Sequence, residues 1–227
     1  MIKSLLLKVK ALLVASHFGP TCLVVSMAFG ISISQFSLTQ SIRIAIAIFA
    51  GQLVVGWSNE VIDLPLDRAA NRLRKPLVSG DLSLSLLQRL IPIALLSAAV
   101  LSFLSPLGAI GTALHLLGLL SAALYNLKLK PTIFSPLPYL ISFGLLPWAI
   151  FLAAGKCPPL WLYVALALFT TAFHFLNVLK DLQWDIDQGV LGLPQRIGRS
   201  GSIAISVLLI IIGLLFLYKP IFDQVIG

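Results

Sequence analysis

The chain is short of charge, and shortest of negative charge. Its 227 residues include eight acids against sixteen bases, and charged residues make up 11% of the total, less than half the share of an ordinary soluble domain. Cysteine is scarce too. Cys22 and Cys157 stand far apart, which suits neither a metal set nor a disulfide framework, and both are expected to pack as small apolar residues. No stretch alternates apolar and polar residues as a membrane barrel strand does. No cleavable leader is expected, because the first apolar run is long and lacks a small-residue cleavage site. A soluble domain, a disulfide scaffold and a β-barrel are thereby excluded.

What is present is apolar. Hydrophobic residues reach 59% and mean hydropathy is +1.02. Seven candidate spans follow, at 11–33, 42–58, 84–104, 107–125, 133–154, 160–179 and 202–218, each close to the roughly 20 residues a bilayer requires. Hydrocarbon offers no partner to an unpaired backbone group, so the spans are read as helices. The fold class is therefore all-α, a polytopic membrane bundle forming one domain over 1–227. Thirteen of the sixteen basic residues fall on one side of these spans, leaving Arg43, Lys156 and Lys219 for the other. The excess of Lys and Arg puts the N-terminus and the loops after the second and sixth spans on the cytoplasmic face, of the plasma membrane if the source is bacterial. The net charge of +8 then describes a rim beside anionic lipid and not a nucleic-acid footprint.

The few acids are not scattered. Glu60, Asp63 and Asp67 lie within the nonapeptide NEVIDLPLD (59–67), and Asp181, Asp185 and Asp187 form a second group. Shifting the sequence by 118 residues sets Asn59 on Asn177, Asp63 on Asp181, Leu64 on Leu182 and Asp67 on Asp185; the register continues through Leu73 on Leu191, Pro76 on Pro194 and Gly80 on Gly198. The chain thus carries a parallel repeat, with halves near 11–125 and 133–218. Residues four apart share a helix face, so Asn177, Asp181 and Asp185 are expected on one continuous helical stripe. In the first copy Pro65 is expected to end or kink the helix near Asp63.

Paired carboxylates at span ends repel each other unless something lies between them. One such loop could be ordinary solvated acids paired with Arg68, Arg72 or Lys180; the same spacing in two loops argues for a divalent cation. Mg2+ takes oxygen ligands and is usually held by one or two carboxylates plus substrate phosphates. Two half-sites could together bind a diphosphate, with Arg68, Arg72, Lys75, Lys128 and Lys130 supplying further positive charge.

At these residues the sequence resembles the UbiA superfamily of intramembrane prenyltransferases. The family pattern N-D/Q-x-x-D-x-x-x-D, with a later R/K-P-[LI]-x-S-G, is matched by NEVIDLPLD and by RKPLVSG (74–80). A second pattern, D-x-x-x-D with a G-x-x-T-L-P-x-x-x-G tail, is matched by DLQWDIDQGVLGLPQRIG (181–198). YNLKLK (125–130) is similar to the family's Tyr-x-x-x-Lys/Arg element, and HFGP (17–20) stands where an Arg-Pro or His-Pro often opens the first helix. The resemblance runs from about residue 12 to 218. It implies a prenyl diphosphate donor bound through Mg2+, ionised to an allylic cation and passed to a hydrophobic acceptor, aromatic or lipid-like. Asn59, Asp63, Asp67, Asn177, Asp181 and Asp185 would hold the metal, with the four aspartates carrying catalysis. Arg68, Arg72, Lys75, Tyr125, Lys128 and Lys130 would bind the diphosphate.

The chain departs from the pattern in three places. Glu60 replaces Asp or Gln; Gly192 stands where Thr is usual and is expected to loosen its loop; and the family's last two helices are not seen. Compact D-G-x-x-A-R signatures of phosphatidyltransferases are missing. A non-catalytic lipid-binding or cation-coupled transport protein is the alternative, although a transporter should carry its acids at mid-membrane. Of the other residues, His17 is expected to meet either the diphosphate or a helix end, and His174 to make a polar contact between helices. Trp57, Trp148 and Trp161 suit an interfacial belt, and Asp81 suits a helix N-cap.

Overall fold

A computed structural model describes the backbone of residues 2–226 and the side chains of residues 5–218. The side chains of Lys3, Lys219 and Asp223 lie outside the described residues. Among those described, every regular element is helical. In order they are α1 (Ile2–Ala15), α2 (Phe18–Ile33), α3 (Leu38–Ala69), α4 (Pro76–Ser79), α5 (Leu84–Leu104), α6 (Gly108–Leu124), α7 (Leu137–Ala153), α8 (Leu160–Val178), α9 (Leu182–Asp187) and α10 (Leu193–Ile226). A π turn, Tyr125–Leu129, prolongs α6.

Five of these segments are long and apolar enough to cross a membrane: α3, α5, Gly108–Leu129, α8 and Leu193–Tyr218. A sixth is counted if α1 and α2, bent by 70° at residues 16–17, make one span. The first expected span is therefore broken, with His17 in the left-handed region at φ 54°. The seventh apolar helix, α7, has only 17 residues. Leu96, Phe103, Leu120 and Leu215 are each more than half exposed, as side chains facing lipid would be.

The chain divides into two compact units, Met1–Thr112 and Ala113–Gly227. In the first, α3 is central, touching both α2 and α5. Its start is secured by a capping box, the Ser37 hydroxyl accepting from the Gln40 N–H and the Gln40 side chain accepting from the Ser37 N–H. Its 32 residues give a length of about 48 Å, well beyond a hydrocarbon core of about 30 Å. The surplus is the acid-bearing end, 59–69. Pro65 costs this helix one backbone donor but does not end it, so the first motif, expected to be kinked, is the one on an unbroken helix. Trp57, Leu64, Leu77, Leu82 and Leu87 form the core beneath it. Trp57 is buried and donates from Nε1 to the Leu12 carbonyl at 3.0 Å; it is a core residue and not part of an interfacial belt.

The close approach of α3 to the α1–α2 bend depends on Gly56. A Cβ there would lie 2.5 Å from the Ser16 carbonyl oxygen.

In the second unit α8 is central, against α7 and α10. Small hydroxyl residues join helices here: Ser206 Oγ of α10 donates to the Ala172 carbonyl of α8 at 3.2 Å, and Ser142 Oγ of α7 to the Gly118 carbonyl of α6 at 3.0 Å, the kind of contact that joins helices in lipid. Here the expected continuous stripe is broken. Helix α8 stops at Val178, Asp181 sits outside it at φ −113°, ψ 7°, and Asp185 lies on the short α9.

The order of elements corresponds in the two units under the same 118-residue shift. Helices α2, α3 and α5 align with α7, with α8 plus α9, and with the part of α10 after its break. Gly80 (φ 85°) aligns with Gly198 (φ 72°); each has the positive φ that favours glycine, where its unit leaves a loop for a long helix.

Candidate functional site

In the first unit, α3 carries Asn59, Asp63 and Asp67 on successive turns. Glu60 and Asp67, seven residues apart, share a face, and both are nearly sealed from solvent, at 1% and 2% exposure. Two buried carboxylates need cations, and the following loop brings them. Lys75 Nζ lies 2.9 Å from Glu60 Oε2 and 3.6 Å from Asp67 Oδ2, and Arg72 lies 3.4 Å from Asp67 Oδ1. The other oxygen of Glu60 accepts from the Leu77 N–H at 3.5 Å. Asp67 Oδ2 has no hydrogen-bond partner; Lys75 approaches it as a charge without donating to it. Asn59 Nδ2 lies 3.2 Å from His17 Nε2, so the left-handed bend at His17 aims its ring at the motif. Arg68 is exposed and Asp63 half-buried.

In the second unit, Asp185 is 8% exposed and its Oδ2 accepts from Gln195 Nε2 at 2.7 Å. The Asp185 N–H donates to the Asp181 carbonyl, and the Val190 N–H returns to the Asp185 carbonyl, each at 2.8 Å. The start of α10 is held by Ser135, whose Oγ accepts from the Leu193 N–H at 3.1 Å. Gly192 permits this: a Cβ would meet the Lys130 carbonyl oxygen at 2.6 Å and Gln195 Oε1 at 2.7 Å. The expected looseness at Gly192 is thus its opposite, a tight approach that binds the second motif's loop to the Lys130 strand of chain. Asn177 and Lys128 are exposed. Tyr125 opens the π turn, its ring 5.4 Å from Tyr139 and 5.7 Å from His174, and His174 stacks on Tyr139 at 4.4 Å. Single π turns inside helices are frequent at functional sites.

Comparison with known proteins places the chain that carries these motifs. The model of the UbiA prenyltransferase family matches residues 18–224. This chain belongs to the UbiA prenyltransferase family. Among solved structures it is similar to the UbiA homologue from Aeropyrum pernix K1 in its apo form, at 20% identity and a TM-score of 0.77 over 92% of this chain and 81% of that one. It is also similar to a structure described under the biosynthesis of digeranylgeranylglyceryl phosphate synthase in membranes, at 21% identity, TM-score 0.70, and 97% and 80% coverage. The UbiA homologue from Archaeoglobus fulgidus matches at 16% identity, TM-score 0.69, and 93% and 86% coverage. These likenesses establish the fold. No curated protein matches the sequence. As a family member with several apolar helices, the chain is an integral membrane protein.

Family membership implies Mg2+, and the donor set suits it. Among the described residues no three His, Cys, Asp or Glu side chains gather as a cage, but Mg2+ needs only one or two carboxylates when phosphates complete its shell. Asp67 Oδ2, buried and without a hydrogen-bond donor, is the kind of oxygen such an ion takes.

Several sequence expectations change. Asp81 accepts from Ser79 Oγ at 2.8 Å, while the N-cap of α5 is Ser83. Cys22 and Cys157 are exposed rather than packed. His174 is buried at 1%, but its Nε2 lacks the expected polar contact. Asp187 accepts from Gln183 in an exposed position. Gln195 was not singled out from the sequence, because its reach to Asp185 depends on how the 188–193 loop folds back.

Proposed function

We propose that the protein is a Mg2+-dependent prenyltransferase that ionises a prenyl diphosphate and transfers the prenyl group to an aromatic or lipid-like acceptor. The observation that carries this reading is the unsatisfied oxygen of buried Asp67, one turn from Asp63 and two from Asn59 in a family motif. Asn59, Asp63 and Asp67 would hold one ion, and Asn177, Asp181 and Asp185 another. Bound Mg2+ would offset the negative charge that grows on the departing diphosphate.

The remaining work falls to the chain's own groups. His17 orients the Asn59 amide. Gln195 holds Asp185 in place through its Oδ2. Arg68, Arg72, Lys128 and Lys130, with the Tyr125 hydroxyl, would bind the diphosphate. Lys75 belongs to the same group by motif, although here its ammonium lies on Glu60 and Asp67. Apolar helix faces would shield the allylic cation from water. The N-terminus and both acidic loops are proposed to be cytoplasmic, from the excess of basic residues on that side.

The test is retention of geranylgeranyl diphosphate by detergent-purified protein. Retention should require Mg2+, and EDTA, Asp63→Ala or Asp181→Ala should each abolish it. Tight binding indifferent to metal and to both substitutions would refute the proposal.

A further inference from the structure

Lys75 is held in place from both sides. Pro76 confines its backbone to the extended region, at φ −83°, ψ 124°. Its carbonyl accepts from the N–H groups of Val78 and Ser79, each at 2.9 Å. Pro76 and Leu77 are buried, so the short α4 is docked and carries Lys75 with it. The four-carbon stem can still swing its ammonium without moving the backbone. That ammonium is on Glu60 at 2.9 Å, with Asp67 0.7 Å further off at 3.6 Å. Glu60 is at 1% exposure and accepts a second contact from the Leu77 N–H. Its carboxylate is therefore committed to Lys75 and α4, and its extra methylene over Asp serves that reach.

We propose that Lys75 is the resident cation at Glu60 and Asp67 Oδ2, as Arg72 is at Asp67 Oδ1: Glu60 holds the Lys75 ammonium beside Asp67, and a divalent ion takes Oδ2 only by displacing it. The inference rests on Asp67 as a metal ligand and makes Glu60 a positioning residue. An ion approaching Asp67 Oδ2 meets a positive charge 3.6 Å from the oxygen it must take, and in a poorly solvated site that repulsion is weakly screened. Metal alone is accordingly disfavoured. An arriving diphosphate changes the balance, because it brings negative charge for the metal and an anionic partner for the displaced ammonium. Metal and donor would then enter together.

The probe is Mn2+ in the absence of any prenyl diphosphate, with free ion followed by electron paramagnetic resonance on the purified full-length chain. Lys75→Met should tighten Mn2+ binding by about tenfold or more over the unsubstituted protein. That gain should vanish when Asp67→Asn is added. Lys75→Arg keeps the charge and should leave the affinity near its starting value, whereas Glu60→Gln, by releasing the ammonium onto Asp67, should weaken it. Lys75→Met alone leaves Glu60 buried and uncompensated, so the double substitution Glu60→Gln/Lys75→Met covers a failure to fold; neutralising both members of a buried pair is often tolerated, and this variant too should bind Mn2+ more tightly. Unchanged or weaker Mn2+ binding in the folded Lys75→Met forms overturns the proposal. A protein that meets these expectations yet ignores geranylgeranyl diphosphate and longer prenyl diphosphates alike would refute the prenyltransferase reading and leave this one intact.

Discussion

Gly56→Ala joins packing to the site in a single methyl group. The new Cβ would lie 2.5 Å from the Ser16 carbonyl oxygen and 2.6 Å from both the Ser16 carbonyl carbon and Cα. Ordinary contact begins near 3.5 Å, so the two segments must part by about 1 Å. All three atoms are backbone, and no rotamer change relieves them. Ser16 is itself 1% exposed, leaving the bend little room to retreat. Overpacking of this kind costs about 1–3 kcal/mol, and the upper end applies; for a chain of this size that lowers the melting temperature by roughly 6–12 °C. Thermal unfolding in detergent, read by tryptophan fluorescence, is a suitable assay because Trp57 adjoins the substitution and donates to Leu12. The same shift would take His17 from its 3.2 Å contact with Asn59 beyond hydrogen-bond reach, and Mg2+-dependent retention of prenyl diphosphate should fall. Adding Ser16→Gly should rescue neither property. A variant that melts with the unsubstituted protein, or one restored by Ser16→Gly, would refute the argument.

Gly192→Thr, which restores the residue usual in the family motif, should destabilise this chain by about 1–3 kcal/mol, because the Lys130 carbonyl oxygen lies 2.6 Å from the new Cβ; the same thermal assay would show a lower melting temperature. His174→Phe keeps the stack on Tyr139 and removes a buried Nε2 that has no partner, so stability should rise by about 1 kcal/mol. A loss of stability would mean that the nitrogen is satisfied by a bound molecule such as water.

Much of the fold was legible along the chain because its causes are local. Runs of apolar residues set the spans, and the excess of one sign of charge set a proposed orientation. The 118-residue register between Asn59 and Asn177 was visible as identity of type and spacing. The structure adds that Gly80 and Gly198 both take a positive φ, a requirement that only their alignment hinted at. Helix continuity was read the wrong way round. Pro65 suggested a break, yet α3 runs through it unbroken. Nothing in NVLKDLQWD (177–185) announces a break, but α8 ends at Val178.

The acids were therefore determined by the sequence, and their partners by the tertiary structure. Four-residue spacing places Asn59, Asp63 and Asp67 on successive turns wherever a helix forms, since the rise and twist of a helix are constant. Which cation answers Glu60, which amide holds Asp185 and what the His17 ring meets depend on loops that return 15, 10 and 42 residues away in sequence. Those returns follow from a docked α4, a glycine approach at Gly192 and a bend at Ser16, each decided by contact between segments that no local pattern relates.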